Sequence, residues 1–244
     1  MIKFFRKIRY NLMETGKTGK YFKYAIGEII LVVIGILIAL QVNNWNESNS
    51  KSREQNKIIE NLNLELKSNL FNLNQAIKLS EISISSTDTL LLSMSDSTTN
   101  KYKGEKLDSL LSKLNLSRWK RSNLNIMSIQ SSGNLNNVKN ATLKNLIYDW
   151  VSQIEVLEYN EKKGDYAYQY FIDYIKKNGS WRELDKYSFA NVKGSQLMPS
   201  NDHLLKRFEF ENCLNELFIW ETHKNRIYQE IKDRLIKLIE FTES

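Results

Sequence analysis

The stretch YAIGEIILVVIGILIALQVNNWNE, residues 24–47, decides how this chain is organised, because it places an almost unbroken apolar run around one early glutamate. From Ala25 to Val42, only Glu28 and Gln41 are strongly polar. A helix over these 18 residues rises roughly 27 Å, close to the thickness of the hydrocarbon layer of a membrane. The run is therefore long enough to cross a bilayer as a helix.

Two other interpretations of the run fit less well. A core helix of a soluble domain keeps a polar stripe, and none exists between Ile29 and Leu40. A signal peptide ends in small residues with an A-x-A-like pattern, and cleavage after Ala39 would place Leu37 where a small residue is needed. We therefore expect residues 25–44 to be kept as a transmembrane helix.

The charge on either side of the run predicts its orientation. Residues 1–24 carry seven basic side chains against one acid, Glu14, a net charge of +6, whereas the other flank is nearly balanced. The positive-inside bias places residues 1–24 in the cytoplasm and the helical domain of residues 45–244 outside it. Since the whole chain carries +7, only about +1 remains beyond residue 24, and nucleic acid is not expected as a partner.

The basic segment has a pattern of its own. Ile2, Phe5, Ile8 and Leu12 recur at helical spacing, with basic residues on the other sides. Such a helix can lie on an anionic membrane surface. The alternative is a positively charged tail without regular structure, and the sequence does not choose between them.

Beyond the run, long helices are expected, because the whole chain holds one proline and nine glycines. A helix over about residues 50–94 is predicted, with a break near residue 83 left open, and residues 93–104 have the composition of a loop. The helix rests on a heptad-like series of apolar residues: Ile59, Leu62, Leu66, Leu70, Leu73, Ile77, then less strictly Ile84, Leu91 and Met94.

Shorter helices are expected over residues 105–116 and 122–132, the second ending at Gly133. Another runs from an N-cap at Asn140 to about residue 177, with a bend at Gly164 left open, and stops at Gly179. Residues 180–200 are predicted to be irregular, and the last helix covers about residues 200–241. The two long helices have these core faces: Leu143, Ile147, Trp150, Ile154 and Leu157; and Phe210, Cys213, Leu217, Trp220, Ile227, Ile231, Leu235 and Leu238.

The predicted fold class is therefore all-α, with one N-terminal transmembrane helix followed by an elongated antiparallel helical bundle.

One stripe of the transmembrane helix is a candidate interface. Glu28, Val32, Gly35, Ala39 and Val42 follow each other at steps of 4, 3, 4 and 3. Gly35 and Ala39 form a small-xxx-small pair that lets two helix backbones approach closely. Glu28 either reaches the cytoplasmic headgroups or contacts another helix, in a homo-oligomer or through a partner's basic residue. Glu28, Gly35 and Ala39 are the candidate helix-interface residues.

No residue pattern indicates catalysis, a cofactor or a bound metal. His203 and His223 lie 20 residues apart on one predicted helix, about 30 Å if it is straight, so they cannot share a metal. Cys213 is the only cysteine and is predicted to be a small buried side chain, with an intermolecular disulfide as the alternative.

Carboxylates and tyrosines complete the candidates. Glu60 and Glu65, and likewise Glu209 and Glu211, alternate with lysine and are predicted to lie on solvated helix faces. The densest aromatic cluster is DYAYQYFIDYIKK, residues 165–177. Part of it can form an exposed binding face, although ordinary packing is the favoured interpretation.

A resemblance rests on MIKFFRKIR, on the apolar run, and on SIQSSGNLNNVKNATLKNLIYDW further along the chain. Together these stretches resemble a family of small bacterial single-pass membrane proteins known only as a domain of unknown function. The match is close over about the first 47 residues and looser around residues 131–150. It implies an inner-membrane anchor with a helical domain in the periplasm, and it implies no activity, substrate or catalytic residue.

The leading hypothesis is a non-enzymatic membrane protein whose helical domain is a scaffold, adaptor or sensor-like interaction module. Its expected partners are the lipid bilayer and either a second copy or another envelope protein. The alternative is a hydrolase-like envelope enzyme whose site is assembled from scattered residues.

Overall fold

The computed structural model describes residues 6, 10, 18–95, 101–131, 141–188 and 192–243, and its regular structure in these ranges is helical without strands. The predicted all-α class with an N-terminal candidate span is confirmed. The predicted surface helix near Ile2 and the predicted caps Gly133 and Asn140 lie outside the described residues. The elements are α1 (Thr18–Ser95), α2 (Glu105–Leu111), α3 (Leu124–Ser131), α4 (Ala141–Asn178), α5 (Trp181–Asp185), a 3-10 helix (Asp202–Lys206) and α6 (Phe208–Glu243).

The chain divides into two compact units, residues 1–58 and residues 59–244. The described part of the first unit is mainly the N-terminal portion of α1. This portion is long and apolar enough to span a membrane, and none of its most apolar stretch is buried within the chain. Ile29, Leu37 and Val42 are each more than half exposed, at 63%, 57% and 59%. Their apolar surface is therefore uncovered by the described residues.

Three long helices make up most of the second unit: α4, α6 and the part of α1 from residue 59 onward. The Asn63 amide donates to Thr242 Oγ1 at 2.7 Å, and Ser80 Oγ donates to Glu221 Oε2 at 3.1 Å, so α1 and α6 run antiparallel. The stacked rings of Tyr174 and Phe210, with centroids 5.5 Å apart, lie at the other end of α4 from the ion pair of Asp149 with Arg234. Helices α4 and α6 are therefore antiparallel as well.

The predicted core faces of α4 and α6 are confirmed. Every predicted core residue of α4 is buried, and the same holds for α6 except at Trp220, which is half-buried beside the buried Glu221. Periodicity succeeds here because each helix buries one stripe against its two neighbours.

The predicted register of α1 holds only as far as Ile77, and Ile59 and Leu70 within that part are half-buried. Beyond it, the predicted core residues are half-buried, and the fully buried positions are instead Ser80, Ser83, Thr87 and Leu90. The helix continues without a break near residue 83. Thr87 Oγ1 donates to the Ser83 carbonyl at 2.7 Å, so this hydroxyl is satisfied inside the helix that carries it.

Several predicted boundaries were wrong. The helix expected over 105–116 ends at Leu111, and the last helix begins at Phe208 after a separate 3-10 turn. Helix α5 occupies the start of the region predicted to be irregular.

Gly179 does end α4, but for a different reason from the expected left-handed cap, since the positive-φ glycine of the described chain is Gly104. A Cβ on Gly179 would lie 2.5 Å from Asn201 Oδ1, so glycine is needed there for a close approach. That same oxygen accepts from the Ser180 N–H at 2.6 Å.

Candidate functional site

The candidate stripe of the first unit lies on an open helix face. Gly35 and Ala39 are exposed, and a Cβ added at Gly35 would meet no described atom within 4 Å. Glu28 is half-buried. The chain itself therefore leaves room beside Gly35 and Ala39 for another helix, and the role of the three residues stays a prediction.

The second unit contains an extended segment, residues 114–123, between α2 and α3. Leu114, Ser117 and Trp119 of this segment are buried although they belong to no helix. Buried backbone N–H and C=O groups need partners, which a helix supplies within itself and an extended chain does not. Side chains of α1 and α6 supply such partners to Ser117, Trp119 and Ser122.

Asn69 of α1 binds the end of the extended segment through both polar groups of its side chain. Its amide nitrogen donates to the Ser122 carbonyl at 2.7 Å, and its oxygen accepts from the Ser122 N–H at 2.8 Å. The indole of Trp119 donates to the Asn69 carbonyl at 3.0 Å and packs edge-on against Trp150 at 5.8 Å between centroids.

A buried ion pair holds the beginning of the segment. Glu221 and Lys224 of α6 are paired and both almost fully buried. Lys224 Nζ also donates to the Ser117 carbonyl at 2.8 Å, while Ser117 Oγ donates to Glu221 Oε2 at 2.9 Å. Together with the bond from Ser80, these contacts satisfy the pair. A buried charge pair of this kind is stable only when such hydrogen bonds complete it.

A second polar cluster lies one turn further along α6. Tyr228 OH donates to Glu161 Oε1 at 3.1 Å and accepts from the Trp119 N–H at 3.2 Å. Burial raises the pKa of Tyr228, and the nearby carboxylate of Glu161 raises it further. Arg121 pairs with Glu161 at 3.0 Å and with Glu158 at 2.8 Å. Burial lowers the pKa of Arg121, but the two carboxylates outweigh burial and raise this pKa overall.

Glu65 corrects a prediction. Glu60, Glu209 and Glu211 are exposed as expected, but Glu65 is buried and its Oε2 accepts three hydrogen bonds. The donors are Ser122 Oγ at 3.1 Å, the Asn125 N–H at 3.0 Å and the Asn125 side-chain amide at 2.9 Å. The carboxylate is thus placed where α3 begins, a position that favours negative charge.

A groove adjoins Leu114 and Asn115, at the beginning of the extended segment. It has a volume of about 370 Å³ and is formed by the end of α2, the chain after it, α4 and α5. Phe171 and Tyr168 are stacked, with centroids 6.2 Å apart, and burial raises the pKa of Tyr168. The groove is lined by Leu111, Ser112, Leu114, Asn115, Tyr168, Phe171, Trp181, Leu184, Asp185, Tyr187 and Ser188.

The histidines and the cysteine contribute to neither feature. His203 lies in the 3-10 helix rather than on the same helix as His223, which corrects the prediction, and its Nε2 is 2.6 Å from the Asn178 carbonyl oxygen. His223 is exposed beside Trp220. The predicted burial of Cys213 is confirmed, and burial raises the pKa of its thiol to about 12. In the described ranges, no three His, Cys, Asp or Glu side chains are placed to hold a metal.

The tyrosine cluster of α4 divides between the surface and the core. Tyr166 and Tyr170 are exposed, Tyr174 is half-buried on Phe210, and Phe171 is fully buried. Part of the cluster is therefore exposed, as the sequence allowed.

Sequence reasoning missed the polar clusters and the groove. The network around Glu221 is made by residues up to 141 positions apart in the chain, so no local spacing signals it. One signal was available: Glu221 and Lys224 continue the buried stripe of α6 between Leu217 and Tyr228. Chemically, the side chains of Asn69, Glu221, Lys224 and Tyr228 form hydrogen bonds that fix the extended segment, whereas the groove is open to a molecule from outside.

Neither a curated protein nor a solved structure is similar enough to this chain to count as a match. One family model does match, over residues 28–160, which is more than half of the chain. The matched residues run from Glu28 through α1 and the extended segment into α4. The chain belongs to this family, described as a family of unknown function, DUF6090.

Proposed function

We propose that the chain is a single-pass protein of the bacterial inner membrane whose domain of residues 45–244 is a periplasmic scaffold, adaptor or sensor-like interaction module. The observation that carries this proposal is the contrast between the two units. The first exposes a continuous apolar helix surface, and the second buries a complete core of its own. An exposed apolar surface of that length fits a lipid environment.

The orientation rests on charge. The net charge of +6 on residues 1–24 favours a cytoplasmic N-terminus, and Trp45 beyond the apolar run is exposed where an interfacial anchor is expected. The near-neutral remainder of the chain gives no reason to include nucleic acid among the partners.

The interaction module is favoured over the hydrolase-like alternative by what converges in the second unit. The buried acids Glu65 and Glu221 and the half-buried Glu161 are engaged by hydrogen bonds around the extended segment. Both histidines lie apart from the groove among the described residues. The Ser117 hydroxyl beside Glu221 is itself buried, so among the described residues this pair is placed to stabilise the domain rather than to reach a substrate.

The span is the proposed contact between copies, through Glu28, Gly35 and Ala39. Close packing drives the association of transmembrane helices, because lipid already satisfies their apolar surface. Gly35→Ile would separate two backbones, and its Cβ would meet no described atom of the chain within 4 Å. In membranes of cells that express two tagged copies of the full chain, we expect Gly35→Ile to reduce cross-linking between copies by about tenfold.

The matched control is Ile34→Ala, which changes a residue off the stripe and should leave cross-linking within about twofold of the parent chain. Glu28→Gln separates the two roles of the acid. A loss comparable with Gly35→Ile indicates an ionic contact, and no loss indicates that Glu28 reaches the headgroups. Equal cross-linking for Gly35→Ile and the parent chain would remove the stripe as an interface.

A further inference from the structure

The groove has the size of a ligand site. Its volume of about 370 Å³ falls at the lower end of the range for pockets that hold small organic molecules, about 300–1,000 Å³. It belongs entirely to the second unit, which has its own core. Apolar side chains supply much of its lining, including the fully buried Leu111 and Leu114.

Aromatic side chains dominate the rest of the lining, and packing or hydrogen bonding restricts them. Tyr168 stacks on the fully buried Phe171. Trp181 is partly buried and packs against the main hydrophobic core. Tyr187 OH donates to the Glu105 carbonyl at 3.0 Å, so this ring is restrained although it is partly exposed. Tyr168, Trp181 and Tyr187 each keep part of their surface exposed, and aromatic rings attract organic cations.

The charge of the groove also favours an organic cation. Among the residues that line it, Asp185 alone is charged. The adjacent Lys186 is paired with the buried Glu183, and that hydrogen bond raises the pKa of Lys186, so this cation is already engaged. Within the described part of the chain, the half-buried carboxylate of Asp185 has no ion pair. The Asp185 carboxylate would repel an anion. A neutral apolar ligand would remove water from this carboxylate without offering it a new interaction.

We propose that the groove binds a small organic ammonium ion, with its apolar part against Tyr168 and Trp181 and its cationic end beside Asp185. This site goes beyond the proposed interaction role. It is independent of any envelope partner or of contact between copies, because it needs only residues of one second unit. If Gly35→Ile did not change cross-linking, the proposed ligand site would be unaffected. If choline did not bind, the proposed contact between copies would be unaffected.

The test uses the purified full chain in maltoside micelles, with choline as the probe and saturation-transfer NMR on its methyl protons as the measurement. We expect saturable binding. The neutral alcohol in which carbon replaces the quaternary nitrogen of choline should bind at least about tenfold more weakly, because it lacks the charge. Equal binding of choline and its neutral counterpart by the parent chain would overturn the proposal, as would the absence of saturable choline binding.

Two variants locate the site. Asp185→Asn should weaken choline binding by about threefold to fivefold, the range of a partly exposed ion pair, and leave binding of the neutral alcohol unchanged. The control Asp173→Asn changes an exposed acid of α4 that accepts from Gln169 and does not line the groove, and it should bind choline as the parent chain does. Trp181→Leu should weaken choline binding by about tenfold. Equal effects of Asp185→Asn and Asp173→Asn would contradict the assignment.

Discussion

The two successive portions of helix α1 expose and bury opposite kinds of side chain. Between residues 22 and 46 its large apolar side chains are exposed, whereas from residue 59 onward it buries polar ones such as Asn69, Ser80 and Thr87. Both portions have regular helical backbone, so backbone geometry does not distinguish them. The comparison teaches that the surroundings of each portion decide which side chains are favourable. Lipid accepts exposed apolar groups, and the second unit accepts buried polar groups because other elements bring their hydrogen-bond partners.

The largest effect is expected from unpairing the buried charges. Lys224→Met leaves the Glu221 carboxylate buried without its cation, which should lower the free energy of unfolding by about 3–5 kcal/mol. The measurement is denaturant unfolding of the full chain in detergent, followed by fluorescence of the buried tryptophans.

Two further variants sharpen this result. Replacing both partners, Glu221→Leu with Lys224→Met, should recover at least about half of the loss, because neither charge then remains buried. Arg226→Met removes an exposed partner of Glu230 and should cost under about 1 kcal/mol. If Lys224→Met were as stable as Arg226→Met, the buried pair would not hold the second unit together.

A smaller effect is expected at the second polar cluster. Tyr228→Phe keeps the ring but leaves the Trp119 N–H and one oxygen of Glu161 without their partner, so the free energy of unfolding should fall by about 1–3 kcal/mol. Tyr166→Phe, at an exposed ring of α4, provides the control and should be nearly silent in the same unfolding measurement. Similar stabilities for the two variants would mean that the Tyr228 hydroxyl does not help to hold the extended segment.

The smallest effect concerns pH. Burial raises the pKa of Asp108, while the hydrogen bond from Asn201 opposes that shift. Between the ordinary aspartate value of 3.8 and the raised folded value, the folded chain binds a proton that the unfolded chain does not, so acidification through this window stabilises the fold. Asp108→Asn can still accept from Asn201 and should lie within about 1 kcal/mol of the parent chain at pH 7.

The check is the difference in free energy of unfolding between the parent chain and Asp108→Asn, measured from pH 7 down to pH 4. The parent chain should gain relative to the variant as pH falls. A difference that does not change with pH, or that changes in the opposite direction, would show that folding does not raise the pKa of Asp108.

The comparison also explains which parts of the structure could be predicted from the sequence. The apolar run and the core faces of α4 and α6 were predictable, because each depends on spacing within one segment. The placement of residues 114–123 was not predictable, since their partners lie up to 111 positions away, as with Ser117 and Tyr228. Glu65 has the charged surroundings of a solvated helix face in sequence, and only the approach of α3 makes it a buried acceptor.

The groove was hidden from the sequence for a related reason. Its lining comes from α2, α4, α5 and the chain between them, and α5 itself fell in a region predicted to be irregular. The placement of α5 depends on contacts such as the hydrogen bond that the Ser180 N–H donates to Asn201 Oδ1, which involve residues far from any periodic pattern. Local patterns therefore predicted α2 and α4 among the walls, but neither α5 nor the space between the three helices.

The central claim is that the apolar portion of α1 lies in a membrane and separates a cytoplasmic N-terminus from the helical domain. The most direct measurement uses two full-length fusions in a bacterial host, each carrying a reporter enzyme that is active only outside the cytoplasm. The reporter placed after Ser244 should be active, and the reporter placed before Met1 should be inactive, with both fusions retained in the membrane after an alkaline wash. An inactive reporter after Ser244, or release of the chain by the wash, would contradict the account.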